Sequence, residues 1–228
     1  MADNSAAMIR TLLKWTLRIF IAFVAISLLW VFALKWINPG TTLLMKSRQG
    51  DGTTIEKEWV SIENISQSMQ LAVICGEDQR FCFHSGFDFE AIKKAAEHNK
   101  AGGKLRGAST ISQQTAKNVF LWEGRSWLRK GLEAWFTMLI EFIWGKKRIM
   151  EVYLNVIETG DGTFGVEAAA KKYYRTTAAR LSGQQAAYIA GLLPCPRKCG
   201  LYSSFTAQRA QIIYYAMTRY GLKLEYLQ

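Results

Sequence analysis

The chain has 228 residues and half of them are hydrophobic, which suffices for a membrane anchor and one domain of ordinary size. Its 29 lysines and arginines exceed 18 acidic residues, and the net charge of +11 favours an acidic partner: nucleic acid, anionic lipid or a phosphorylated substrate. The four cysteines form no CxxC pair and there are two histidines, which argues against a structural zinc site.

The first predicted element is a membrane-spanning helix. Residues 19–34 carry no charge and lie between Arg18 and Lys35. Sixteen helical residues cover about 24 Å, so crossing a roughly 30 Å hydrocarbon core requires residues 15–37, with both flanking cations reaching the headgroups. No small-residue cleavage site follows, which favours an anchor over a signal peptide. We therefore divide the chain into a cytoplasmic tail at 1–14, an anchor at 15–37 and one domain at 38–228.

Helical periodicity in the rest of the chain predicts a mostly α body. Apolar residues recur every three or four positions from Ile62, whereas residues 50–60 predict at most a short strand. An amphipathic helix over residues 206–220 is predicted to stop at Gly221. Other helices are predicted to start at the capping residues Asp88, Ser109 or Thr110, Ser126 and Ser182. We expect this body to fold without residues 1–36.

Glu77 is the first candidate for chemistry. It follows Gly76 at the predicted end of an apolar helix, where the negative end of the helix dipole disfavours a charged carboxylate. A pKa raised in this way suits a general base. The alternative is that Glu77 and Asp78 form a solvated helix end, but the aromatic, imidazole and carboxylate groups over residues 81–88 favour a functional site.

The start of the helix predicted from Ser109 or Thr110 is a second candidate. Hydroxyls, amides and Lys117 gather there, and the backbone N–H groups of the first turn would form an anion site with this lysine. Hydroxyls at a helix start are also ordinary caps. The adjacent Gln113 and Gln114 make poor core residues, which favours a site.

Glu133 is a second carboxylate, predicted within the helix that starts at Ser126. Arg129 and Lys130 precede it by four and three residues. The alternative is a solvated ion pair, but a cation before the acid is the weaker order for supporting a helix. Because Glu133 flanks the apolar stripe, we expect it at the edge of a cleft.

Three ordered motifs resemble the peptidoglycan glycosyltransferase family. Residues 77–88 match ED-x-x-F-x-x-H-x-G-x-D, residues 107–118 match G-x-S-T-I-x-Q-Q-x-x-K-N, and residues 129–134 match R-K-x-x-E-A. Segments 147–170 and 187–194 extend the resemblance over most of the predicted domain. No S-x-x-K motif is present, so the chain is similar to the monofunctional biosynthetic members rather than to bifunctional penicillin-binding proteins.

The resemblance implies a lysozyme-like, mostly α fold behind a single N-terminal transmembrane helix. The implied activity is the inverting polymerisation of lipid II into β-1,4 glycan strands of peptidoglycan with release of undecaprenyl pyrophosphate, and without transpeptidase activity. Glu77 would be the base and Glu133 the second essential carboxylate. The residues implied to bind substrate are Asp78, Phe81, His84, Ser109, Thr110, Gln113, Gln114, Lys117, Asn118, Arg129, Lys130, Lys147 and Asn155.

The same resemblance implies a single-pass protein of the bacterial inner (cytoplasmic) membrane with a periplasmic catalytic domain. Cations flank both ends of the anchor, so the charge bias does not itself fix the orientation. Expected partners are lipid II, the growing lipid-linked glycan chain, the membrane, and proteins of cell-wall synthesis or division; nucleic acid is not expected. A divalent cation, Mg²⁺ or Mn²⁺, is left open because the sequence shows no clear ligand set.

Two alternatives stay open. A lytic transglycosylase or muramidase-like enzyme of the same fold would cleave glycan strands, and would not need the cation cluster or the anchor. A non-catalytic, membrane-anchored peptidoglycan-binding module would make Glu77 and Glu133 separately dispensable.

The cysteines mark one departure from the family. Cys195 stands where the family usually carries asparagine, and the segment LPCPRKCG leaves open a disulfide to Cys199. Four cysteines allow three pairings, and Cys75 is interpreted as a small core residue.

Overall fold

The computed structural model describes residues 2–102, 107–124, 126–220 and residue 224, and confirms the mostly α prediction. The predicted stop at Gly221 lies outside the described residues. The helices are α1 (Ala2–Ala33), α2 (Leu43–Gly50), α3 (Gln67–Glu77), α4 (Phe89–Lys100), α5 (Ile111–Phe120), α6 (Trp127–Ile143), α7 (Gly145–Val156), α8 (Val166–Tyr174), α9 (Gly183–Leu192) and α10 (Ser204–Tyr220).

A small sheet forms beside the helices. Its strands are β1 (Glu56–Lys57), β2 (Glu158–Gly160) and β3 (Thr163–Phe164), in the order β1-β3-β2. Strand β3 runs parallel to β1 and antiparallel to β2. Gly162 makes the turn between β2 and β3 with φ of +68°, and a Cβ there would lie 2.2 Å from the carbonyl oxygen of Thr54.

The core of the body forms where apolar helix faces meet. Helix α9 packs against α3 and α10, and α5 packs against α6 and α7. Each of these two groups of helices contributes fully buried side chains, including Val73 of α3, Ala116 of α5, Leu154 of α7 and Ile189 of α9. This packing brings the end of α3 to the beginning of α5, and α5 alongside α6.

Helix α1 is both a candidate membrane span and a packed element of the body. Met8–Ala33 is long and apolar enough to cross a membrane, by length and composition. Near the end of α1, Oγ of Ser27 accepts from Nε1 of Trp135 of α6 (3.1 Å), and the carbonyl oxygen of Val31 accepts from Trp144 (2.7 Å). Removing residues 1–36 would take away the partners of these two indoles. Independent folding of the body stays a prediction.

Candidate active site

Two neighbouring cavities contain most of the predicted site residues. The first, of about 550 Å³, is lined by Glu77 and by the segment that leads into α5; we call it the Glu77 cavity. The second, of about 400 Å³, is lined by Lys117 and Arg129; we call it the Lys117 cavity. Gln114 lines the second cavity and donates from Nε2 to Oε2 of Glu77 (3.0 Å), which joins the two walls.

Glu77 is the last residue of α3, as the sequence predicts. Gly76 precedes it where α10 packs closely, because a Cβ there would lie 2.9 Å from Cδ1 of Ile213. Oε1 of Glu77 pairs with Nη2 of Arg209 (3.2 Å), opposite the oxygen that accepts from Gln114. Burial raises the pKa of Glu77, against the lowering effects of the Gln114 hydrogen bond and of the Arg209 and Lys117 charges. The main cause is therefore burial rather than the predicted helix dipole.

Asp78 faces protein partners rather than solvent. Its carboxylate lies 2.9 Å from Nε2 of His84 and accepts from the backbone N–H of Ile111 (3.0 Å), the first residue of α5. Phe81 is completely buried, with the ammonium of Lys146 4.5 Å from its ring centre. Asp78, with His84 as its partner, thus ties the end of α3 to the start of α5.

The predicted cap of α5 is present and its side chains are used internally. Thr110 and Gln113 form a capping box, in which each side chain accepts from the other residue's backbone N–H. Thr110 also donates from Oγ1 to the carbonyl oxygen of Gly86 (2.6 Å). Ser109, one residue earlier, is exposed and lines the Glu77 cavity. Substrate contact by these hydroxyls stays a prediction.

Lys117 lies in the second cavity, within electrostatic reach of both carboxylates. Burial lowers its pKa, whereas the charges of Glu133 and Glu77 raise it, and Arg129 and Lys130 lower it further. The buried Asn118 lines the same cavity. A phosphate group entering here would meet a lysine held in a partly desolvated, cation-rich place.

Glu133 is buried and surrounded by cations of its own helix. Ser126 caps α6 by accepting from the backbone N–H of Arg129 (3.1 Å), as predicted. One oxygen of Glu133 lies 3.4 Å from Nη1 of Arg129, and the other contacts the ammonium of Lys130. Because the Glu133 carboxylate is only 4% exposed, the cluster is not the solvated ion pair of the alternative interpretation.

Lys147 and Asn155 line neither cavity, and their polar partners lie outside both. Lys147 forms an ion pair with Glu63 (3.1 Å), and both side chains are well exposed. Asn155 is fully buried, accepting from the backbone N–H of Val60 and donating to its carbonyl oxygen, both at 2.9 Å. Lys147 lies in the first turn of α7 on its solvent side, and the amide of Asn155 is already paired, so the structure brings neither residue to the cleft.

Sequence reasoning missed two neighbours of Glu77. Arg209 lies 132 positions later, and no local spacing could connect the two residues. Tyr153 is fully buried and donates from its hydroxyl to Oε1 of Gln114 (3.2 Å), which orients the amide that contacts Glu77. Its position follows the apolar period of α7, so the sequence marks it as a core residue.

Residues 44–218, which include both cavities and both carboxylate clusters, match the family described as transglycosylase. The chain belongs to the transglycosylase family.

Similar curated proteins carry a more specific name, biosynthetic peptidoglycan transglycosylase. The protein of this name from Pseudomonas syringae pv. syringae is 47% identical and the match covers 97% of each chain. That from Pseudomonas putida is 48% identical over 94% of each chain. That from Pseudomonas aeruginosa is 49% identical over 84% of this chain and 85% of its own.

Proposed function

We propose that this chain polymerises lipid II into β-1,4 glycan strands of peptidoglycan and releases undecaprenyl pyrophosphate. The observation that carries the proposal is the contrast between two glutamates that both lie within electrostatic reach of Lys117. Burial raises the pKa of Glu77, whereas Glu133 is held between Arg129 and Lys130. A polymerase of this kind needs a proton acceptor on one side of the reacting carbon and positive charge on the other.

Glu77 is proposed as the general base. The 4-hydroxyl of the acceptor sugar attacks C1 of the donor from the side opposite the pyrophosphate, which inverts the configuration, and Glu77 takes the hydroxyl proton. Its raised pKa brings the carboxylate closer to the operating pH, where a base is most effective. The hydrogen bond from Gln114 and the contact with Arg209 hold the two oxygens in place.

The cations of the second cavity are proposed to hold the leaving group. Pyrophosphate departs as an anion, so it requires positive charge rather than a proton donor. Lys117 and Arg129 line the Lys117 cavity, and Lys130 lies next to them on α6. Glu133 contacts two of these groups and is proposed to orient them, rather than to attack the donor or supply a proton.

No resident cofactor is proposed. Within residues 2–102, 107–124, 126–220 and 224, no three His, Cys, Asp or Glu side chains converge as metal ligands. The cleft carboxylates also have protein partners already: Glu77 has Arg209, Asp78 has His84 and Glu133 has Lys130. This donor set does not fit a bound divalent ion.

The proposed location is the bacterial cytoplasmic membrane, with α1 as the single anchor and the body on the periplasmic side. The apolar length of α1 supports the anchor, and the disulfide between Cys195 and Cys199 suits an oxidising compartment. The proposed partners are the lipid-linked substrate and glycan, the membrane, and proteins of cell-wall synthesis or division.

The full-length protein in liposomes provides the test. With lipid II as the substrate, we expect a ladder of glycan polymers and release of polyprenyl pyrophosphate. A parallel incubation with preformed glycan strands should leave the strands intact. Shortened strands would favour a lytic enzyme, and binding without turnover would favour a binding module; either result contradicts the proposal.

A further inference from the structure

Four side chains of alternating charge form a closed ring on the wall of the Lys117 cavity. Arg48 forms a two-pronged contact with Glu123 (2.9 and 3.0 Å) and lies 3.5 Å from Glu158. Arg197 completes the ring, 3.5 Å from Glu123 and 3.9 Å from Glu158. All four residues line the same cavity as Lys117. We call them the charge ring.

The charge ring has a fixed inner half and an outer half at the surface. The side chains of Arg48 and Glu158 are 7% and 10% exposed, whereas those of Glu123 and Arg197 are 38% and 44% exposed. Surface ion pairs are weak unless their partners are held in place, because ordering long side chains costs entropy. The outer half therefore needs something that restrains Arg197.

The disulfide between Cys195 and Cys199 supplies this restraint. It closes a five-residue loop after α9, and the backbone N–H groups of Lys198 and Cys199 donate to the carbonyl oxygen of Cys195 (3.1 and 2.9 Å). Arg197 lies inside the closed loop. The neighbouring Lys198 is exposed and forms no ion pair with the residues that the structure describes, so the loop directs one of its two cations into the charge ring.

Glu123 connects the charge ring to the cations of the site. It lies in the short connection from α5, which carries Lys117, to α6, which carries Arg129. Holding Glu123 therefore restrains the distance between those two groups. We propose that Arg197, held by the Cys195–Cys199 disulfide, is a positioning residue that fixes Glu123 and thereby the spacing of Lys117 and Arg129. This inference rests on the proposed function, since pyrophosphate is the anion those cations would grip.

The inhibition constant of farnesyl pyrophosphate reports how well the cations bind a pyrophosphate group, because this probe has the leaving group but no reacting sugar. The full-length protein in detergent is compared with Arg197→Ala, with the double variant Cys195→Ser/Cys199→Ser, and with all three changes combined. We expect each of the first two to weaken inhibition about three- to five-fold, the upper end of what a partly exposed ion pair contributes. The combined variant should weaken inhibition no further, because the disulfide and Arg197 are proposed to act through the same contact with Glu123.

Two further variants control for charge and geometry. Lys198→Ala removes the same charge from the same loop and should leave the inhibition constant unchanged, whereas Arg197→Lys should restore part of the loss. If the serine variant fails to fold, Glu123→Gln weakens the contacts of Glu123 with both Arg48 and Arg197, and should weaken inhibition at least as much as Arg197→Ala does.

Several outcomes would overturn the inference. The first is that Arg197→Ala changes the inhibition constant no more than Lys198→Ala does. The second is that the losses of the single changes multiply in the combined variant. The third is that Arg197→Ala lowers the melting temperature but leaves the inhibition constant unchanged. Failure of the proposed function would instead appear in the unmodified protein, as lipid II that is never polymerised.

Discussion

Glu77 and Glu133 are the same residue type and both act on the charge of Lys117, but they are held in opposite ways. Glu77 ends α3 and meets an arginine from α10 and an amide from α5, so its partners come from distant parts of the chain. Glu133 lies within α6, and both its cations precede it on that helix. Burial raises the pKa of Glu77, whereas the charge of Glu133 is compensated locally. The first arrangement suits proton transfer and the second suits holding cations.

The largest expected effect separates the two roles. Glu77→Gln keeps the size of the side chain and removes the proposed base, so polymerisation should fall about 10²–10⁴-fold. Turnover of lipid II at saturating concentration measures this loss. Retention of more than half of the activity would remove Glu77 from the proposed role.

The melting temperature of the same variant provides the folding control. A carboxyl whose folded pKa is raised destabilises the protein as the pH rises above its unfolded pKa, because folding then opposes ionisation. Glu77→Gln should therefore melt no lower than the unmodified protein at pH 8, and its advantage should shrink as the pH falls towards 4.5. A lower melting temperature at pH 8 would mean that lost contacts outweigh the relieved burial.

The cluster around Glu133 should respond as one unit. Lys130→Ala and Glu133→Gln should each lower turnover by about 10²-fold, the scale for losing one electrostatic contact to a developing anion. The double variant should resemble the worse single variant, because Glu133 is proposed to act through the cations that it contacts. Glu133→Gln leaves Arg129 without its carboxylate partner in the cavity, so melts must accompany the rates. Small, strictly additive losses would return the pair to a structural role.

This contrast also explains what the sequence could predict. Some contacts of the site are local in the chain, so helical spacing indicated their geometry. These are the cap of Ser126 on the backbone N–H three residues later and the cluster of Arg129, Lys130 and Glu133. The pairing of Glu77 with Arg209 depends on how α10 packs against α3, which no local pattern encodes. The position of Asn155 in a motif predicted that it lies in the site. Its side-chain amide instead forms hydrogen bonds with the backbone of Val60, outside the site.

A smaller effect is expected from Arg209, on the Glu77 side alone. Its positive charge lowers the pKa of Glu77 against the effect of burial, so Arg209→Ala should raise that pKa further. Because the proposed base, Glu77, must be deprotonated to accept a proton, the acidic limb of the pH profile of kcat/KM should move to higher pH. Inhibition by farnesyl pyrophosphate should not change. Arg219→Ala is the matched control, since it removes an exposed arginine from the same helix; an unmoved acidic limb in Arg209→Ala would contradict the pairing.

The smallest expected effect lies on the Glu133 side, where α6 packs against α1. Trp135, two residues after Glu133, donates to the buried Ser27, and Trp135→Phe removes this hydrogen bond together with the part of the indole that a phenyl ring does not fill. A loss of about 1 kcal/mol is typical for such a bond and would lower the melting temperature by about 2–4 °C in a chain of this size.

Trp127→Phe provides the matched control, because Trp127 lies on the same helix and is 93% exposed, and it should melt like the unmodified protein. The acidic limb of the pH profile should stay in place in both variants, because Glu77 rests on α9 and α10 through α3 rather than on the anchor. Equal melting temperatures for the two tryptophan variants would mean that α1 does not support α6 in the folded protein. A shifted acidic limb in Trp135→Phe would mean that the two glutamates share a support. The separate support of Glu77 through α3 and of Glu133 through α6 would then be wrong.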